Sequence, residues 1–353
     1  MNTSRLTAGM PLLLSGLVVL SGCLEVDTTT EVRRDGSLVR TVTVKGDSSS
    51  ILAGGHGLPL DSSWEMTVEK VGEKKHLLTA SRVFEDVASM NDALRGKGDL
   101  TLRSRVALEE EFLWFFTAYR YQEVYETFNP YVRIPITDYV SPKELDLWLR
   151  HEIYEEPYRF KGDSLSVDDA SDRYEQWYAR SFFESYYALF LKGVELLGDP
   201  ALTREDVESK KEELFQAVSE SSPEPKRALI VGELFQNVLR TERVQAAIEA
   251  NARGFEELER KEAFESRVFS NDYEAHVAMP GLITDTNAPT VEGNRASWSK
   301  FMTSCYFGEY EIWVESRVVN WWAIILTGAL MLIGVTLYAF GILKRRAAQV
   351  ASS

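Results

Sequence analysis

Between Arg317 and Lys344 the chain runs for 26 residues without a charged side chain, VVNWWAIILTGALMLIGVTLYAFGIL. A helix rises roughly 1.5 Å per residue, so 318–343 would be about 39 Å long, enough to cross a hydrocarbon core of roughly 30 Å with some tilt. Trp321 and Trp322 stand at one end, where indoles favour the headgroup zone, and Lys344, Arg345 and Arg346 follow the other. That asymmetry puts the tail, 344–353, in the cytoplasm and everything before Arg317 outside. Whatever precedes the span must therefore fold as a domain attached to a bilayer.

Residues 1–22 read as an export signal. Arg5 supplies a thin basic region, and Met10 to Leu20 an apolar stretch too short to span. The next residues, Leu20-Ser21-Gly22-Cys23, resemble the bacterial lipobox. That resemblance implies a diacylglyceryl group and a palmitate-type acyl chain on Cys23, which would become the mature N-terminus. The chain is then expected to be a membrane lipoprotein tethered at both ends, with the span favouring the cytoplasmic membrane and the exported domain on its outer side.

Charge narrows the partners. The chain carries −15 overall, and Arg5 and the three basic residues after the span lie outside the exported segment, which keeps 35 of the 39 basic residues against 54 acidic ones. Nucleic acid and broadly anionic surfaces need basic patches, so neither is an expected partner. The mature chain has two cysteines, and lipidation would claim Cys23. Cys305 then has no partner for an intrachain disulfide and no nearby histidine in sequence, which favours a buried, inert thiol.

The exported segment changes character twice. Residues 23–140 are β-rich. Glu25–Arg33 and Leu38–Lys45 flank Arg34-Asp35-Gly36, and a three-residue loop there pairs Val32 with Leu38, Thr28 with Val42 and Val26 with Val44. That register gathers the aliphatic side chains on one face, as burial demands. Gly46–Ser63 reads as a loop, Trp64–Val71 and His76–Phe84 as a second hairpin, and Asp86–Leu94 as a short helix. Leu100 to Leu108 alternate along a third arm, with a turn expected at Glu109-Glu110-Glu111 and a return strand from Phe112 to Tyr121 that is apolar on both faces.

Residues 141–268 take a helical period. Ser141-Pro142-Lys143-Glu144 has the form of a capping box, and helices are expected over Asp169–Leu197, Thr203–Ser219, Lys226–Ala250 and Phe255–Val268. From 269 to 317 β signals return: Tyr273–Met279, a turn at Pro280-Gly281, a loop-like Thr284–Gly293, then Arg295–Phe301 and Phe307–Val314. The expected fold class is α+β, an antiparallel β module formed from both ends of the exported segment with a helical insertion, plus one C-terminal transmembrane helix. Neither β piece supports itself well alone, and combining them predicts one sheet of about eight strands.

The lipobox, the segment His276-Val277-Ala278-Met279-Pro280-Gly281, Trp298 after the Val291–Asn294 turn, the single span and its basic residues are together similar to LppM-type membrane-tethered bacterial lipoproteins. The resemblance implies envelope association and contact with lipid-like molecules, and it carries no catalytic motif onto these residues. The helical block departs from that family's mostly β exported domain.

No strong catalytic or metal motif stands out. His151 and Glu155 are four apart on one helical face, but a zincin helix needs histidine at both positions. Asp163, Asp168, Asp169 and Asp172 lack the calcium-loop spacing. No metal and no cofactor are expected. The richest internal stretch is Tyr174 to Phe190, where Phe182, Tyr186 and Phe190 join the candidate groove residues Tyr174, Trp177, Tyr178, Phe183 and Tyr187 to cover more than one stripe of a helix. Core packing explains such a pattern; the alternative is an aromatic groove for an amphiphile. The leading functional reading is a non-catalytic envelope lipoprotein that binds a lipid-like ligand or an envelope protein. The other is a hydrolase-like envelope enzyme whose polar residues converge only in the fold.

Overall fold

The computed structural model describes residues 24–96, 98, 100–154, 167–220 and 227–351. The export signal, Cys23, Glu155 and Asp163 fall outside them. Eleven strands and eleven helices follow in order among the described residues: β1 Glu25–Val32, β2 Leu38–Asp47, α1 Ser48–Leu52, β3 Glu65–Lys70, β4 Lys75–Phe84, α2 Val87–Leu94, β5 Ser104–Leu113 and β6 Phe116–Tyr125. Then come α3 Pro142–Tyr154, α4 Val167–Leu197, α5 Arg204–Ser209, α6 Lys211–Ser219, α7 Arg227–Leu239, α8 Arg243–Ala250 and α9 Ala252–Phe269. The chain finishes with β7 Asp272–Ala278, β8 Leu282–Thr286, β9 Thr290–Glu292, β10 Arg295–Ser299, α10 Met302–Phe307, β11 Tyr310–Val319 and α11 Trp321–Ala351. The fold is α+β, with largely antiparallel sheets and one C-terminal apolar helix.

The β1–β2 register is the one that side-chain alternation demands. Val26 faces Val44, Thr28 faces Val42 and Val32 faces Leu38. Gly36 makes the turn at φ 82°, a left-handed conformation that favours glycine. The strands from the two ends of the chain do combine, but into two sheets. One has seven strands in the order β3-β4-β2-β1-β7-β10-β9, and the other four in the order β5-β6-β11-β8. The late strand β7 lies parallel to β1, and β11 lies antiparallel to β6. A count of strands says nothing of how they partition; the inward faces do. Val26, Val42 and Val44 of the larger sheet and Tyr121, Ile312 and Val314 of the smaller are buried in one shared core.

The structure departs from the sequence pattern in five places. The third hairpin turns at Trp114-Phe115, with Leu113 paired to Phe116, so Glu109–Glu111 lie along β5, an edge strand where carboxylates stay solvated. The return strand is Phe116–Tyr125, and its faces differ: Tyr119, Tyr121 and Tyr125 are buried while Arg120 is exposed. The stretch 284–293 is not a plain loop, since the end of β8 and all of β9 fall within it, and the last expected strand starts at Tyr310 because α10 takes Phe307. At the other end of that strand, Val318 and Val319 pair with Thr117 and Phe116. The apolar helix therefore begins at Trp321, and its candidate span is Trp321–Ile342. At roughly 1.5 Å per residue those 22 residues measure about 33 Å, still sufficient for a bilayer core.

The helical block packs round its own core, where Phe183, Tyr186, Phe190 and Phe235 are buried. Its first helix starts as expected, with the Glu144 carboxylate accepting from Ser141 N at 2.8 Å. The block leaves the β module at Tyr125 and returns at Asp272, the partner of Glu25. Tyr125 also faces Tyr310, so these residues share one end of the sandwich. At the other end Tyr119 Oη donates to Arg34 O at 3.0 Å, Ser316 Oγ donates to Pro280 O at 3.0 Å, and β11 runs into α11. Leu24 and Val319 thus sit at opposite ends of the β module.

Candidate functional site

Among the described residues four places gather side chains of functional type: the sheet interface, the aromatic helix, a surface cluster on β1 and β7, and the junction of the smaller sheet with α11. At the first, alternation along β2 turns Leu38, Arg40, Val42 and Val44 inward, and alternation along β6 does the same for Tyr121, Glu123 and Tyr125. Arg40 Nη1 donates to Glu123 Oε2 at 2.7 Å and to Thr30 Oγ1 at 2.7 Å, and Nη2 donates to Tyr125 Oη at 3.3 Å. Ser104 Oγ and Tyr121 Oη add donors to the Glu123 carboxylate at 2.7 and 2.8 Å. Burial alone would raise the Glu123 pKa, but Arg40 and these hydrogen bonds bring it below the ordinary carboxylate value. A carboxylate held ionised by three donors is a poor base or nucleophile. The cluster clamps one sheet to the other.

Sequence reading missed this pair, although a signal existed. A charged residue at an inward position of an otherwise apolar strand face must be paired, and two such residues on different strands are natural partners.

A second buried carboxylate works the same way. Glu262 of α9 accepts from Tyr131 Oη at 2.6 Å and from Tyr186 Oη at 2.9 Å. It ties α4 and α9 to the segment that follows β6.

On α4, Trp177, Phe183 and Tyr187 are buried, whereas Tyr174 and Tyr178 are half-buried. Trp177 Nε1 donates to Ile134 O at 2.9 Å, Phe183 stacks on Tyr187 at 5.2 Å, and Tyr174 stacks on Trp148 at 4.8 Å. The five rings therefore divide between two cores rather than lining one wall. Cys305 is fully buried, its thiol pushed far above the ordinary range by burial, and Sγ donates weakly to Phe301 O at 3.6 Å.

One surface cluster has donors of metal-ligating type. Asp27, Glu274 and His276 bring one ligand atom each within 4.8 Å of one another on adjacent strands. Burial, and then Arg295, lowers the His276 pKa, so the ring is neutral at pH 7. Its Nδ1 already meets Ser297 Oγ at 2.8 Å and its Nε2 meets Glu274 Oε2 at 3.4 Å. The arrangement reads as a solvated cross-strand polar ladder.

The junction with α11 is different in kind. Asn320 alone separates β11 from the helix, and it is fixed on both sides. Its N–H donates to Phe115 O at 2.8 Å, its Nδ2 to Trp114 O at 3.1 Å, and its Oδ1 accepts from Thr117 Oγ1 at 3.2 Å. Beyond it the apolar window has a mean hydropathy of 2.2, and only 6 % of it is buried. An apolar surface of that extent, uncovered by the rest of the chain, is a membrane-associating surface.

No family model matches the chain, and no curated protein matches it. Among solved structures, the chain is similar to the folded domain of the LppM protein of Mycobacterium tuberculosis, determined by NMR, at 8% identity over 84% of this chain and 91% of that one, with a TM-score of 0.26.

Proposed function

We propose that the chain is a non-catalytic cell-envelope lipoprotein, exported and crossing the cytoplasmic membrane once through α11 with its tail inside. In this reading the helical block, at the end of the β module away from α11, meets an envelope protein or a lipid-like ligand. The observation that carries the proposal is the junction of β11 with α11. An exposed apolar helix of membrane-crossing length continues a strand of the sandwich with one intervening residue, itself held by the β5–β6 turn. A domain so joined is a membrane-held module, and its polar, acidic far end faces the aqueous side.

The two classes of partner differ in what they would use. An amphiphile would have its rings and hydroxyls supplied by Tyr174 and Tyr178, the two half-buried members of the aromatic set. A protein partner would use the outer faces of the helices. The hydrolase-like alternative gains nothing from the buried carboxylates Glu123 and Glu262, since both are engaged by the donors that hold the fold together. Acylation of Cys23 would add a second anchor, next to Leu24.

Alkaline carbonate extraction and native mass spectrometry test the two halves of the proposal. The full chain should resist carbonate, and a chain ending at Asn320 and carrying Cys23→Ser should be released. Native spectra of the detergent-extracted full chain should show an added amphiphile or an added polypeptide. Release of the full chain overturns the anchoring; a bare chain mass under gentle conditions overturns the binding.

A further inference from the structure

The tip of the β5–β6 hairpin carries Phe112, Leu113, Trp114 and Phe115, and all four are exposed, between 37% and 54%. Large apolar residues at an exposed turn are costly in water unless something covers them. Here they are not scattered. Phe112 stacks on Trp322 at 6.1 Å with the rings 8° apart, and Trp114 meets Trp322 edge-on at 5.7 Å. Trp114 Nε1 donates to Thr327 Oγ1 at 3.0 Å. The tip and the first turns of α11 form one aromatic surface, and the neighbouring Trp321 is exposed.

From these contacts we infer that the hairpin tip is a second membrane contact, seated at the boundary of headgroups and hydrocarbon in the bilayer that α11 crosses. The inference rests on the proposal that α11 spans. Two lengths support it independently. Thr327 lies six residues past Trp321, about 9 Å along the helix at 1.5 Å per residue, and Trp114 reaches that level. From Glu111, the last charged residue of β5, three residues lead to Trp114, roughly 10 Å at 3.3 Å per residue. The uncharged part of the hairpin is thus as long as the distance it reaches along the helix. Interfacial segments bury their apolar side by roughly 5–10 Å, the same scale.

The flanking charges suit this placement. Glu111 pairs with Ala118 just above the tip, and Arg317 lies 5.0 Å over the Phe116 ring, where a guanidinium can reach headgroup phosphates. A lipid surface is the occupant that the geometry favours over a protein, because the exposed tip is continuous with the exposed surface of α11. Insertion at two points would fix the domain's tilt as well as its attachment.

The test uses the full chain with Cys23→Ser, reconstituted in phosphatidylcholine–phosphatidylglycerol vesicles and spin-labelled at one introduced cysteine at a time. Leu113→Cys reports on the tip, Leu330→Cys on the span and Leu52→Cys on the far end. Relaxation by oxygen should exceed relaxation by a water-soluble nickel chelate at 113 and 330, and the order should reverse at 52. A label at 113 as accessible to nickel as that at 52, with 330 still lipid-exposed, overturns the inference and leaves the span intact. Nickel access at 330 as well means that the span itself has failed. Shielding of 113 from both reagents points to a protein partner or a second copy at the tip and likewise overturns it. Brominated-lipid quenching, compared between the unlabelled chain and Trp114→Ser, repeats the measurement: a smaller quenched fraction is expected, the remainder coming from Trp321 and Trp322, and no change counts against the inference.

Discussion

Arg40 on β2 and Glu123 on β6 meet at 2.7 Å across the two sheets, with side chains 3% and 0% exposed. Ions placed this deep pay a large desolvation penalty, and their mutual attraction and hydrogen bonds must offset it. Removing one partner leaves a buried charge with nothing opposite. Arg40→Met should therefore destabilise the chain by about 3–5 kcal/mol. Arg40→Met with Glu123→Leu should be less destabilised than either single variant, because only neutral hydroxyls are then orphaned. Thermal unfolding in detergent decides it; additive losses would show that the pair is not coupled.

A different buried group sets a pH dependence. His56 is 6% exposed, Nδ1 accepts from Leu58 N at 3.0 Å, and burial lowers its pKa to about 4. Its folded value lies below the unfolded one, near 6.5. The stability it contributes is complete above pH 6.5 and is lost as pH falls through 6.5 towards 4, up to about 3 kcal/mol at 1.36 kcal/mol per unit. Glu123, also lowered, extends the loss at still lower pH. His56→Gln should flatten the melting-temperature profile between pH 6.5 and 4, whatever it does to stability at pH 7. An unchanged slope would show that His56 does not titrate in this way.

The aromatic helix separates rings by burial. Trp177→Ala and Phe183→Ala should each cost roughly 3–5 kcal/mol, as for other fully buried large aromatics. Tyr174→Ala and Tyr178→Ala remove half-buried rings and should cost distinctly less. If one of these two binds an amphiphile, its replacement should reduce the ligand mass retained in native spectra with little change in melting temperature. Equal, large losses at all four positions would leave no ring free for a groove.

What the sequence made legible followed from periodicity and caps. The β1–β2 register, the start of α3 and the helical block each rest on a local pattern that tertiary context had no reason to overrule. The misplaced third turn shows the limit. Glu109-Glu110-Glu111 has the composition of a turn, whereas the actual turn puts Trp114 at φ 52°, which no glycine or asparagine announces. Once the tip packs against α11, tertiary contacts outweigh that local strain. The partition into two sheets was hidden for a related reason: β1 pairs with β7 across more than 240 residues, and only the inward charges of Arg40 and Glu123 hinted that two faces meet. Whether α4 offers a groove was undecidable from spacing, since core and groove use the same rings.

Acylation of Cys23, if it occurs, meets a geometric constraint at the start of β1. Leu24 is buried, its N–H donates to Asn271 Oδ1 at 3.1 Å, and its carbonyl accepts from Asp272 N at 2.9 Å. It lies at the end of β1 away from α11, and the nine residue steps from Tyr310 to Val319 put roughly 30 Å of strand between the two levels. Cys23 is bonded directly to Leu24, so if α11 spans as proposed and Cys23 is acylated, no linker is left to return the acyl group to the same bilayer. Three outcomes are open to an acylated chain. The start of β1 can peel away, exposing Leu24 at about 2 kcal/mol and breaking the ladders with β2 and β7. The domain can lie down, breaking the Trp114–Thr327 contact. Otherwise the acyl group enters another lipid surface. The third keeps every described contact and is the expected one. The parent should incorporate labelled palmitate and Cys23→Ser should not, while both stay in the membrane fraction. Acylated chain in vesicles should cluster them, as read by light scattering, and Cys23→Ser should not. Hydrogen exchange over 24–32 should be equal in the two. Fast exchange there in the acylated chain without clustering would mean that β1 peels, and absence of palmitate in the parent would remove the lipobox reading altogether.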